Sequence, residues 1–116
     1  MYTLLYKEDK EIFKMFQGYK EATARPINNN NKNIKIGDKV KLLIGFKEIG
    51  IIEITNIKYV EDITKEPLTT FKKLGYKTKK EYINKYKEKQ GKKQVIFYFK
   101  IISYDLNKYI EETKKQ

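Results

Sequence analysis

The chain contains no cysteine and no histidine. Disulfides, thiol nucleophiles, Cys/His zinc sites and imidazole acid/base chemistry are therefore excluded, and any catalysis would have to run on Lys, Tyr, Thr, Ser or carboxylates. Arginine is nearly absent: Arg25 alone stands against 25 lysines. Nor does any segment approach the ~18 consecutive apolar residues of a membrane-spanning helix. The amino terminus, MYTLLYKEDKEIF, has no basic leader ahead of an apolar run. These absences predict a soluble, cytoplasmic protein with no membrane partner, no bound metal and no cofactor.

What remains is strongly basic. The 116 residues include 26 basic and 15 acidic side chains, a formal charge of +11. That length suits one domain around one core, and the charge predicts attraction to polyanions at low salt, which is steering and not specificity. An A/T-rich coding bias, heat adaptation or plain solubility also accounts for many lysines. None of these explains the single exception. Arg carries a rigid fork suited to carboxylate or phosphate, whereas Lys is a flexible point charge, so a lone Arg is either a chance survivor or the mark of a place where a fork matters.

The local patterns alternate between helix and strand. An apolar run covers Tyr2 to Tyr6. Glu8 to Gln17, with Ile12, Phe13 and Phe16 at helical spacing and Gly18 just beyond, predicts an amphipathic helix with a glycine cap. YKEATARPI follows, and Pro26 holds Arg25 extended. NNNNKN (28–33) predicts an exposed loop. In IKIGDKVKLLIGF, Gly37-Asp38 signals a turn, and Val40, Leu42, Ile44 and Phe46 alternate as a half-buried strand. KEIG is read as a hairpin turn leading into IIEITNIKYV, a second strand.

Pro67 to Leu74 predicts a short helix capped by Gly75. Thr78 and Glu81 form a T-x-x-E capping box that opens a further helix to about Lys89, ended by Gly91. VIFYFKIIS (95–103) predicts a central strand covered on both faces, and 105–116 predicts a polar terminal helix. Strands interrupted by a helical pair suggest a small mixed barrel or curled sheet carrying helices.

Three groups of residues carry candidate chemistry. On a regular strand Glu21, Thr23 and Arg25 share one face, and Lys20 joins them only if the backbone turns at the helix exit. An ordinary edge strand with surface charges fits the same residues. The segment Lys72 to Lys93 interleaves ten lysines with Tyr76, Tyr82 and Tyr86, so its lysines could neutralise phosphates while its tyrosines stack on unpaired bases. Tyr82 and Tyr86 at i and i+4 equally fit core packing. The carboxylates Glu21, Asp38, Glu48, Glu53, Glu61, Asp62 and Glu66 show no spacing that marks a catalytic dyad.

The order of parts, GYKEATAR, then IKIGDKV, then PLTTFKKLGYKTKKEY, then VIFYFKI, resembles the ASCH family across about residues 2 to 103. Gly18, Lys20, Thr23 and Arg25 match its G-x-K-x-x-T-x-R segment, and Gly37 and Asp38 match its GD turn. The resemblance implies an α+β, PUA-like mixed β-barrel of about five to six strands with flanking helices, spanning 1–104 and followed by a helical tail at 105–116. It also implies a cleft used for RNA or nucleotide-like ligands. Lys20, Thr23, Arg25, Lys72, Lys73, Lys77, Lys79 and Lys80 are then the expected nucleic-acid-binding residues, with RNA the expected partner. One branch of the fold hydrolyses acylated cytidine with a Lys, a Thr and a Glu, and some members are ribonucleases. That alternative makes Lys20 and Thr23 catalytic. Leu74 stands where that branch has its acid, so another carboxylate such as Glu53 or Glu66 would have to replace it.

Overall fold

A computed structural model of the protein describes residues 2–6, 9–86 and 91–104. Among these residues five strands and three α-helices follow in the order β1 (Tyr2–Tyr6), α1 (Asp9–Phe16), β2 (Ala22–Arg25), β3 (Lys39–Ile44), β4 (Lys47–Val60), α2 (Leu68–Lys73), α3 (Lys79–Tyr86) and β5 (Gln94–Tyr104). The strands form one sheet in the order β1-β3-β4-β5-β2. β1 runs parallel to β3, and every other pairing is antiparallel. The sheet curls into a half-barrel, as the strand and helix patterns predicted.

The curl has a local cause. The β4–β5 ladder shifts register between Ile51 and Ile52 and again between Ile54 and Asn56, and β3–β4 shifts between Leu42 and Leu43. Such bulges bend a strand and increase its twist. Alternation along the curled strands then separates two cores. Val40, Leu42, Ile52, Ile54, Val95 and Phe97 face inward with Ile12 and Met15 of α1. Ala22, Val60 and Ile96 turn to the opposite side against Phe71, Leu74, Tyr76 and Tyr82 of the α2–α3 region. Burial of Ile12 and Met15, both essentially inaccessible, contributes on the order of 1.5–3 kcal/mol each and anchors α1 in the mouth of the half-barrel.

Several local expectations are corrected. The β3–β4 turn is Gly45-Phe46, not KEIG: Gly45 supplies a φ of +59° at the first central position of a two-residue turn, the pattern of type II′. Phe46 thus leaves the strand, and Gly50 lies inside β4. The asparagine run is not simply an exposed loop. Asn28 Oδ1 accepts from the Asn30 and Asn31 backbone N–H groups, and buried Asn31 donates from Nδ2 to the Pro26 carbonyl at 2.9 Å.

β5 is covered on both faces only over its first half, since its exposure rises from Lys100 onward. The Thr78 hydroxyl accepts from the Glu81 N–H as expected, while the Glu81 carboxylate reaches the Lys77 N–H. The end of the last predicted helical turn (87–90) and the predicted terminal helix (105–116) lie outside the described residues.

Gly50 tests the β4–β5 packing. A Cβ there would meet the Ser103 carbonyl oxygen at 2.9 Å and the Tyr104 Cβ at 3.4 Å. Gly50→Ala should therefore destabilise the fold by about 1–3 kcal/mol in urea unfolding, because two paired backbones would have to separate.

Candidate functional site

The site is built where the half-barrel's two edges meet. α1 ends at Phe16, and its last carbonyls are taken by the backbone N–H groups of Gly18, Tyr19 and Lys20. Gly18, at φ +83°, turns the chain here, as a glycine just past a helix does. The chain then enters β2, held on one side by the Glu21 N–H donating to the Lys73 carbonyl at 2.7 Å. On the other side the Phe99 N–H donates to the Glu21 carbonyl at 3.1 Å. Asn31 grips the far end through Pro26. β2 is short, but both of its ends are fixed.

Alternation along β2 sends Ala22 and Ala24 towards the α2 side, where they join that core. Thr23 and Arg25 project to the other face. There the Tyr6 hydroxyl donates to Thr23 Oγ1 at 3.1 Å in a buried contact, and the Arg25 guanidinium lies over the Tyr6 ring at 4.6 Å from its centroid. Tyr6 ends β1, so this trio joins the two edge strands. The phenol is the stronger donor of the two hydroxyls, so Thr23, itself buried, accepts from it. Tyr6 was missed in the sequence because only the closing of the sheet brings it to β2.

Lys20 occupies a different constellation. It is 5% exposed, and its Nζ donates to the Leu74 carbonyl at 2.9 Å, at the C-terminal end of α2 where the helix dipole favours a cation. Gly75, at φ +94°, makes this approach possible: a Cβ there would lie 3.3 Å from both Lys14 Cδ and Lys20 Cβ. The sequence reading of Lys20 beside Thr23 and Arg25 is thus refined, since Lys20 runs to the α2 end while the other two meet Tyr6. Leu74 itself is fully buried in the core. A pocket of about 340 Å³ opens beside Lys20, lined also by Phe16, Gly18, Glu21, Phe99 and Ile101.

The lysines of the helical segment are dispersed over its outer surface. Lys72, Lys73, Lys77 and Lys80 are exposed and Lys79 is half-buried. Lys73 lies over the Tyr98 ring at 5.5 Å, Lys79 over Phe71 at 5.9 Å, and Lys14 over Tyr76 at 4.9 Å. Two of the expected stacking tyrosines, Tyr76 and Tyr82, are not available. Tyr76 and Tyr82 are both buried and meet edge to face at 5.3 Å, with Phe71 against Tyr82. For these two tyrosines the packing role holds, which the lysine-rich sequence around them obscures.

The carboxylates proposed as substitutes for the missing acid have other partners. Glu66 accepts from Lys58 at 2.7 Å and from the Thr70 hydroxyl at 3.3 Å, and its hydrogen bond holds the Lys58 ammonium above its ordinary pKa. Glu53 pairs with Lys100 at 3.2 Å. Asp62 bonds the Thr64 hydroxyl and N–H, and the hydroxyl bond foremost lowers its pKa. Asp38 accepts from the Lys35 N–H within its turn. Among the described residues no helix is long and apolar enough to cross a membrane, and no three carboxylates gather as a metal site.

Tyr6→Phe removes the hydroxyl bond to Thr23 but keeps the ring beneath Arg25. It should cost about 0.5–1.5 kcal/mol in urea unfolding, because Thr23 loses a buried partner.

Comparison with known proteins places this fold in a known architecture. No family model and no curated protein matches the sequence. Solved structures do match. A hypothetical protein, PH0355, superposes with a TM-score of 0.72 at 17% identity, covering 88% of this chain and 100% of its own. An ASCH domain from Lactobacillus crispatus gives 0.69 at 14%, covering 90% of this chain and 81% of its own. The ZmASCH protein of Zymomonas mobilis, in a mutant form, gives 0.63 at 10%, covering 95% of this chain and 78% of its own.

Proposed function

On an ASCH-type, PUA-like half-barrel, we propose that this chain binds nucleic acid, most simply RNA, at the seam between β1 and β2. The observation that carries this reading is the placement of the lone arginine. In a chain with 25 lysines, the one guanidinium is stacked on a buried tyrosine, next to an ordered threonine hydroxyl. Stacking engages the guanidinium face, while phosphate recognition uses its N–H edge. Thr23 holds the Tyr6 hydroxyl beneath Arg25, and Lys20 adds positive charge from the α2 end. The net charge of +11 steers a polyanion towards the domain. Lys72, Lys73, Lys77, Lys79 and Lys80 then contribute backbone contacts that lack sequence preference.

Hydrolysis of a nucleoside amide or of RNA is the weaker reading. Lys20 donates to a main-chain carbonyl, Thr23 accepts from Tyr6, and the position of the needed acid is a core leucine. None of these contacts supplies a general base. Purified protein should accordingly show no turnover of acylcytidine or RNA. Turnover that disappears in Lys20→Ala would establish the enzyme instead.

Binding is tested by fluorescence anisotropy with an RNA oligomer across a salt series. Affinity should fall steadily with salt, as counterion release requires. Arg25→Ala should weaken it about tenfold or more, and Arg25→Lys should fail to restore it, because the fork is lost and not only the charge. Affinity that is flat with salt, or unchanged in Arg25→Ala, would overturn the reading.

A further inference from the structure

One end of the half-barrel carries aromatic surface that the core does not use. Phe46, at the β3–β4 turn, is completely exposed. Only Gly45 and Phe46 separate the paired residues Ile44 and Lys47, so the ring is presented by a tight two-residue turn and not by a long loop. Ile44 pairs with both Tyr6 and Lys47, which places Phe46 just past the end of β1 where Tyr6 supports Arg25.

Tyr104 lies at the same end. It pairs with Gly50, roughly 10 Å along β4 from Lys47 at the ordinary strand rise. Its ring is about half exposed and stacks on Phe16 with centroids 4.7 Å apart and planes 27° from parallel. Phe16 in turn lines the pocket that holds Lys20.

We propose that Phe46 and the Phe16–Tyr104 stack form a platform for unpaired bases, so that the domain takes single-stranded nucleic acid in preference to duplex. This rests on the nucleic-acid reading above and deepens it. Aromatic faces accept any base, whereas bases within a duplex are already stacked and present only their edges in the grooves. The charge of the rim suits a polyanion: exposed Lys47 follows Phe46, and Arg25 lies over Tyr6. A protein partner recognised by apolar contact alone would need no such cations. The platform also fills the role that buried Tyr76 and Tyr82 cannot.

The test compares an unstructured, labelled single-stranded RNA with the same strand annealed to its complement. Wild type should bind the single strand more tightly. Phe46→Ala and Tyr104→Ala should each weaken single-strand binding about five- to a hundredfold, the loss expected for one stacked base. Duplex affinity and the salt slope should stay unchanged, since no phosphate contact is removed. Phe46→Leu should behave as Phe46→Ala, because it keeps apolar surface but loses the ring, and Phe46→Tyr should retain binding. Urea unfolding of Phe46→Ala should match wild type, since the exposed ring supports no core.

Equal affinity of wild type for both forms, with Phe46→Ala unchanged and Arg25→Ala impaired, would overturn the platform and leave the seam reading standing. Absence of binding to either form would overturn both. A dimer that dissociates in Phe46→Ala while RNA binding is untouched would assign the rim to a second copy of the chain and overturn the proposal.

Discussion

The pairing of β4 with β5 is the constraint on which the rest of the molecule depends. It runs from Gly50 opposite Tyr104 to Val60 opposite Gln94, and two register shifts bend it. A flat ladder of that length would hold β1 and β2 at opposite margins of the sheet, too far apart to touch. The bends curl the sheet until its margins face each other, and a hydroxyl and a guanidinium then bridge them through Tyr6. Gly50 is required because the bent strands approach too closely for a side chain. The site is therefore a consequence of how the sheet closes.

The same closure divides labour between the two faces of β2. Its alanines pack against α2 and α3, where a second core of aromatic rings holds the helical pair to the sheet. Its threonine and arginine face the seam. A strand of four residues could not keep this division without support, because so short an edge frays readily. The support comes from backbone bonds to Lys73 and Phe99 at one end and from buried Asn31 at the other. Lys20 adds a bond between the entry to β2 and the end of α2, so the two helical regions and the seam are mechanically joined.

Charge is distributed differently from chemistry. Exposed lysines cover the α2–α3 surface, and exposed ion pairs such as Lys93–Glu61 at 3.5 Å contribute little to stability. The groups proposed to discriminate a ligand are few and lie at the seam and at the aromatic end: Arg25, Thr23, Phe46 and Tyr104. Two of these, Phe46 and Tyr104, were not singled out in the sequence as ligand contacts. Phe46 fits the alternation of a buried strand residue, and only the position of the turn shows that it falls outside the strand.

The sequence by itself determined the elements and the class of the domain. Helical spacing in EIFKMF, alternation in KVKLLI, proline and glycine punctuation around α2, and the ordered motif GYKEATAR together specified an α+β domain with a curled sheet. These are local signals, set by side-chain period and backbone sterics within a few residues. The tertiary structure alone decided which side chains meet. Tyr6 lies 17 positions from Thr23 and Lys20 lies 54 from Leu74, and no local pattern encodes a contact across such separations. Which aromatic residues are core and which are exposed was settled the same way. Tyr76 and Tyr82 are buried, and Phe46 is not, because burial depends on which elements the curled sheet brings over them.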